Sequence, residues 1–329
     1  KVEGKAFDVD NIEITMPFEI DFNKNKVIDN GFKKAFSQLI SLIVSTSDIK
    51  KIDKIKLNEI KGMIESFSIK EEKFINEIYY VNLGVSFNKK KIFSYLEKKN
   101  IFPSTPVKKK LLFLPIIIDE NKKELMVFSN NEFFNEWLNF NEDIHLIEYI
   151  LPTEDLEDLN LLKENYEILE QYDFKEITSK YDLKDSIVAL IFKKEKEIRA
   201  LSRISIMGNV VLKNQTFSKI DTEKNDQVED IIKKLKIVYE DYWKSFNQVN
   251  TSIKLPIYVR LKNSNNLKIS NFEKILDEAD LIYNFFISKY DKDFTYYQII
   301  FNGTPGNFLE SMSSNGYNFD TQKKIWILQ

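Results

Sequence analysis

Residues 281–301 read LIYNFFISKYDKDFTYYQIIF, and this stretch decides the architecture of the last quarter of the chain. Two long apolar and aromatic runs, Leu281 to Lys289 and Thr295 to Phe301, flank the polar turn Tyr290 to Asp293, the pattern of two paired strands. On the N-terminal side, Ile253 to Leu261 predicts another strand. It precedes a helix for which Ser270 and Glu273 form a capping box, because the serine oxygen can accept from the third helical amide while the glutamate reaches back. On the C-terminal side, Thr304 as N-cap, Pro305 at the first helical position and Gly316 just past the end delimit a second helix, and Lys324 to Leu328 closes the series as a strand. The order over residues 251–329 is βαββαβ, the split arrangement of a ferredoxin-like module, a fold that hosts too many functions to imply one.

Upstream, Leu111 to Ile118 is a nearly continuous apolar run, which predicts a strand covered on both faces. Helix Glu132 to Leu138, strand His145 to Leu151, acidic helices Asp155 to Tyr166 and Phe174 to Tyr181, and strand Ile187 to Phe192 follow in alternation, so a partly parallel, doubly covered sheet is expected. A hairpin, Ile198 to Ile206 with Val210 to Phe217, turns across Met207, Gly208 and Asn209. The helix Val228 to Phe246, with Ile231, Ile232, Leu235, Val238, Tyr242 and Trp243 on one side, closes that layer.

At the start of the chain a strand, Phe7 to Thr15, leads to a long helix whose Ile28, Phe32, Ala35, Phe36, Leu39, Ile40 and Ile43 make one apolar stripe. A short helix at Leu57 to Met63 comes next. Two strands follow, with Phe67 and Ile69, then Ile78 and Tyr80, alternating with polar neighbours, and the amphipathic segment Ile92 to Leu96 ends this part. Pro103-Ser104-Thr105-Pro106 cannot continue a helix and reads as the linker. The expected fold class is therefore mixed α+β and α/β, several small sheet-and-helix modules in series: an N-terminal α+β domain at 1–106, a middle α/β domain at 107–250 and the βαββαβ domain at 251–329. A chain of 329 residues exceeds the size at which a single core stops growing.

Composition excludes more chemistry than it suggests. There is no cysteine, one histidine (His145) and only three arginines (Arg199, Arg203, Arg260). Thiolate chemistry, disulfides and Cys-ligated metals are removed, and a lone histidine without a Gly-x-Ser-x-Gly elbow does not make a serine hydrolase. The preference for Lys over Arg, with many Asn, Ile, Phe and Tyr, is that of an AT-rich genome. Lys89 to Lys91 and Lys108 to Lys110 therefore read as solvated faces. With a net charge of -3, nucleic acid is not an expected partner. No apolar stretch is long enough to span a bilayer as a helix, so no transmembrane segment is expected. The chain begins at Lys1 without a methionine, as a cleaved signal peptide or a trimmed chain would.

Each candidate site has a plainer structural reading. Glu154, Asp155, Glu157 and Asp158 follow Pro152 and Thr153 at a helix start, where complementing the helix dipole is the expected role ahead of holding calcium. Asp8, Asp10 and Asn11, and Asp21, Asn23 and Asn25, begin like EF-hand loops but lack glycine at the sixth position, and Phe32 stands at the twelfth of the second. Asn302-Gly303-Thr304 lies between strand and helix, where backbone amides can cradle an anion, although Pro305 deletes one donor. No catalytic residue, metal site or cofactor is expected from these patterns. The ligand-binding candidates are Thr153, Glu154, Asp155, Asp158, Asn302, Gly303 and Thr304.

Several blocks carry a resemblance. Met63 to Lys73 (MIESFSIKEEK) followed by Tyr79 to Phe87 (YYVNLGVSF), then Leu114-Pro115-Ile116, Trp137, and Leu151 to Asp158 (LPTEDLED), occur in the order found in an uncharacterised exported-protein family of proteobacteria, especially alphaproteobacteria, domain of unknown function 2066. The first helix with Phe32-Lys33-Lys34-Ala35-Phe36 is similar too. Thr153-Glu154-Asp155 stands where the family has a Gly-Asp pair, so a loop function resting on that glycine does not transfer. The resemblance implies export to the periplasm, with the signal peptide removed, and brings no catalytic residues. Two functions are then expected in order: a non-catalytic periplasmic interaction or scaffold protein contacting another envelope protein, more an interaction module than an enzyme, and, as the alternative, a carboxylate-based enzyme or small-ligand or metal binder working in a cleft between the first two domains, near the acidic turn Thr153 to Asp158.

Overall fold

The computed structural model of the protein describes residues 7–52, 54–139, 145–220, 224–264, 266–279 and 281–329. The architecture is mixed α and β, with three sheets and their helices in series. The chain up to Pro106 and the chain from Lys244 onward form one compact unit, and Val107–Trp243 forms the other.

Strand β1 (Asp8–Pro17) leads into helix α1 (Lys24–Ile43), capped where the Asn23 side chain accepts from the Asn25 amide. After α2 (Thr46–Ile49) and α3 (Leu57–Met63), strands β2 (Ile64–Ile75) and β3 (Ile78–Phe87) form a hairpin, and α4 (Lys89–Lys98) follows. The sheet order is β1-β3-β2, antiparallel throughout. Buried Phe32, Ala35, Phe36, Leu39, Ile40 and Ile43 give α1 the expected stripe, with Val27 buried at its start and the expected Ile28 half-buried. Inward on β3 are Tyr79, Val81, Leu83, Val85 and Phe87, one residue out of phase with the expected Ile78 and Tyr80. Tyr80 faces the other way and donates its hydroxyl to Glu13 Oε1 at 2.9 Å. Phase follows the longer run: four apolar residues from Val81 to Phe87 outweigh one at Ile78.

The Pro103–Pro106 connection is not a loose one. Ser104 is buried, its amide donates to the Ile43 carbonyl at 2.7 Å, and it bridges to Gln248. Thr105 N donates to Asn247 O at 2.9 Å and Val249 N to Pro103 O at 2.7 Å. The chain leaving for the middle of the sequence and the chain returning from it therefore lie side by side. Proline removes its own N–H but leaves those of Ser104 and Thr105 available for pairing.

The second unit holds β4 (Lys109–Asp119), β5 (Glu124–Met126), α5 (Glu132–Asn139), β6 (Ile147–Ile150), α6 (Leu156–Glu164), α7 (Lys175–Thr178), β7 (Ser186–Lys194), β8 (Glu197–Ile206), β9 (Asn209–Ser218) and α8 (Asn225–Phe246), whose last turn belongs to the first unit. Its sheet runs β5-β4-β7-β8-β9, with β6 also on β4. β4 pairs parallel with β6 and β7, and the remaining pairs are antiparallel. One face of β4 and β7 packs Leu114, Ile116, Val188 and Leu190 against Leu162, Phe174 and Ile177. The other brings Phe113 against Trp137 and Tyr239. Both faces are thus covered, as the unbroken run in β4 requires. The β8–β9 turn has positive φ at Met207 (51°) and Gly208 (78°), the two-residue geometry that matches strand twist. The acidic helices and the strand from His145 are shorter than expected: Asn165 ends α6, α7 is four residues, and β6 starts at Ile147. On α8 the inward residues are Val228, Ile231, Ile232, Leu235, Tyr239 and Trp243. Tyr239 replaces the expected Val238 and Tyr242, which are half-buried.

The last module has β10 (Leu255–Lys262), α9 (Asn266–Glu278), β11 (Ile282–Tyr290), β12 (Phe294–Phe301), α10 (Pro305–Ser314), β13 (Phe319–Asp320) and β14 (Trp326–Leu328), in sheet order β11-β12-β10-β14-β13. Thr304 caps α10 and Pro305 stands at its start, as expected. The ferredoxin-like order holds with one change. β14 runs parallel to β10, because β13 makes the return from α10 at the sheet edge and the chain turns back along it. The expected capping box is not used. α9 begins at Asn266, so Ser270 lies inside it, and Glu273 instead accepts from Tyr297 Oη at 2.6 Å. Among the described residues no helix is long and apolar enough to cross a membrane.

Candidate functional site

The acidic turn is held by its own lysine. Asp155 caps α6 by accepting from the Glu157 amide at 2.8 Å, and Lys180, just past α7, reaches Asp158 Oδ1 at 2.6 Å and Asp155 Oδ2 at 3.0 Å. Asp158 is buried, with its second oxygen shielded and without a hydrogen-bond partner. Glu154 accepts from the Ser129 amide at 3.2 Å, and the Thr153 amide donates to Tyr181 Oη at 3.0 Å. The hydrogen bond from Lys180 holds the Asp155 carboxyl below its ordinary value, and the bond from Ser129 does the same for Glu154. Lys180 is correspondingly held up by Asp158 and Asp155. A general acid needs the opposite shift. Thr153, Glu154, Asp155 and Asp158 are brought together, and the arrangement acts as an electrostatic clamp between α6 and the segment after α7.

Asn302, Gly303 and Thr304 belong to the other unit. Buried Asn302 donates to the carbonyls of Ile253 at 2.9 Å and Thr251 at 3.3 Å, which ties the end of β12 to the strand entry before β10. Thr304 Oγ1 accepts from the Asn307 amide at 3.3 Å, and a Cβ on Gly303 would meet the Phe301 ring at 2.7 Å. The side chains here serve the turn and the cap. Asn23 likewise caps α1, while Asp8, Asp10 and Asn11 sit on β1.

A polar core in the second unit was not legible from motifs. Lys236 and Glu240 lie on the inward stripe of α8 and are buried. Glu240 accepts from the amides of Leu146 at 3.2 Å and Ile147 at 2.9 Å, and its carboxylate lies 3.9 Å from His145 Nδ1. The Lys236 ammonium sits 5.4 Å from the Trp137 ring centre and 5.7 Å from that of Tyr149, within cation–π range. Tyr239 shares a 2.6 Å hydrogen bond with Ser202. Burial raises the pKa of Tyr149 and Tyr239, so both remain protonated near neutrality. The available signal was spacing, since Lys236, Tyr239, Glu240 and Trp243 recur at three and four along an amphipathic helix.

A cleft of about 110 Å³ in the first unit is lined by Glu65, Asn88, Lys89, Lys90, Asp277 and Asn284, among others. That is well below the roughly 300 Å³ at which small-molecule sites begin. Lys90 donates across it to Asn284 Oδ1 at 3.0 Å, and Lys89 donates to the Ala279 carbonyl.

Apolar surface is exposed elsewhere. At one end of the first sheet the loop after β1 meets the β2–β3 turn. Phe18 N donates to Glu77 O at 2.7 Å, and the Phe18 ring lies 4.7 Å from both Phe22 and Phe74. Phe18, Ile20, Phe74, Ile75 and Ile78 are exposed there, Ile20 fully. The charged residues of the two turns themselves, Glu19, Asp21 and Glu77, are acidic. Compared with protein-family models and with curated proteins, the chain matches none.

Proposed function

We propose that this chain is a non-catalytic interaction or scaffold protein of the cell envelope. The observation that carries the reading is the apolar tip of the first module. Five large apolar side chains on the loop after β1 and the adjoining ends of β2 and β3 stay in water, on a platform braced by a backbone hydrogen bond and by tilted and edge-to-face ring contacts. Such a patch costs solubility unless a surface covers it. The charged residues of the two turns are acidic, with Lys73 and the Lys24–Glu72 ion pair close by, which suits a protein partner whose apolar pocket has a mixed polar border. The acidic turn, by contrast, is occupied by Lys180. The periplasmic setting, and membership of the exported family, rest on the sequence blocks at 63–87 and 151–158.

A photo-crosslinking residue at Ile20, with Lys163 on α6 as control position, tests the reading in envelope extracts. The expected result is one discrete adduct from Ile20, lost when Phe74 and Ile75 are changed to Ser. No adduct, together with thermal stabilisation of the protein by a divalent cation or a small metabolite that Asp155→Asn abolishes, would replace this reading with a ligand-binding one.

A further inference from the structure

Among the described residues, the four long edge strands are not equally protected against pairing. β2 bears five charges in twelve residues (Glu65, Lys70, Glu71, Glu72, Lys73) and register shifts at Ile64/Ser66 and Ile69/Glu71. β1 is shifted between Val9 and Ile12 and ends on Pro17. β11 is shifted at Ile282/Asn284 and Ile287/Lys289. Charges, bulges and prolines are the devices that keep an edge from recruiting another strand. β9 has none of the backbone devices: its ten residues pair with β8 in unbroken register from Asn209 to Ser218. It carries a single charge, Lys213, and Val210 and Leu212 are 63% and 52% exposed. It is also the last strand of its sheet.

We infer that β9 pairs with β9 of a second copy of this chain, antiparallel, joining two of these sheets edge to edge. A twofold axis normal to the sheet keeps each copy's faces aligned, so opposing residues must lie on the same face, and the register is centred on a residue. Centring on Lys213 sets two ammonium groups opposite each other. Centring on Leu212 leaves Thr216, Phe217 and Ser218 without partners. Centring on Asn214 overlaps Val210 to Ser218, sets Asn214 against Asn214, Lys213 against the second copy's Gln215 and Val211 against its Phe217, the last two pairs each occurring twice. Aromatic with β-branched is a favoured cross-strand pair, and the two Lys213 ammonium groups move from directly opposite to a diagonal position. The strand is self-complementary, which is the argument for a second copy over a foreign strand.

The inference is independent of the apolar tip, which β9 changes leave intact. Light scattering on the full-length protein should give twice the monomer mass, falling to the monomer on dilution. Val211→Lys should weaken association by about tenfold or more, and Asn214→Lys, at an exposed position, should do the same, both with unchanged circular dichroism. Because the chain has no cysteine, Asn214→Cys provides a single thiol per chain, and a short bismaleimide should link two such chains but not two Lys289→Cys chains on β11. A protein that is monomeric at all concentrations overturns the inference, including one that takes up a strand of another protein there. So does a dimer that survives both lysine variants and is not linked at Asn214→Cys.

Discussion

Lys180 shows what a single side chain does here. It neutralises two carboxylates, one of them buried, and so lets α6 begin with acidic residues that would otherwise repel one another. Removing it leaves Asp158 shielded from water without its cation, so Lys180→Met should lower the denaturation midpoint at neutral pH, and Asp158→Asn in the same chain should restore part of the loss. The pH dependence has a definite sign. Asp155 and Glu154 lie below their ordinary values of 3.8 and 4.5, so the stability they contribute is fully present above those values and is lost as pH falls through the lower, folded-state values. Urea midpoints measured from neutrality down to strongly acidic pH should fall in that window, and Lys180→Met should show a shallower fall. A variant as stable as the parent at every pH would remove the clamp from the account.

At the scale of elements, two helix glycines separate propensity from packing. Gly62 in α3 faces open space, and Gly62→Ala should stabilise the first unit by roughly 0.5–1 kcal/mol through helix propensity alone. Gly31 in α1 lies against Leu83 of β3, and an alanine Cβ there would collide with the leucine methyl. Overpacking costs about 1–3 kcal/mol against a propensity gain of ~1 kcal/mol, so Gly31→Ala should destabilise by about 1 kcal/mol. Chemical denaturation of the two variants checks the opposite signs. The same contrast explains the element-level differences from the sequence reading. Helix period and caps place α1, α8 and α10 well, whereas the box at Ser270 and Glu273 is a valid local pattern that loses to one more turn of helix and to the bond from Tyr297.

For the whole molecule, the pairing of residues 103–105 with 247–249 makes the middle unit an insertion into a unit built from both ends of the chain. Replacing residues 107–243 by a short Gly-Ser link should therefore leave the first unit folded, with dispersed amide resonances and a cooperative thermal transition; a disordered spectrum would show that it needs the insert. The sequence by itself determined the alternation of strands and helices, the doubly covered run at Leu111 to Ile118, the hairpin at Met207-Gly208 and the βαββα part of the last module, because periodicity, turn residues and caps are local; the added strand β13 and the parallel run of β14 were not legible. It also determined which chemistries lack their side chains. Tertiary structure alone decided that the two ends share a unit, that Lys180 occupies the acidic turn, that Lys236 and Glu240 are buried, and which edges carry bulges, because each depends on residues far apart in sequence meeting in space, where burial and pairing set the energies.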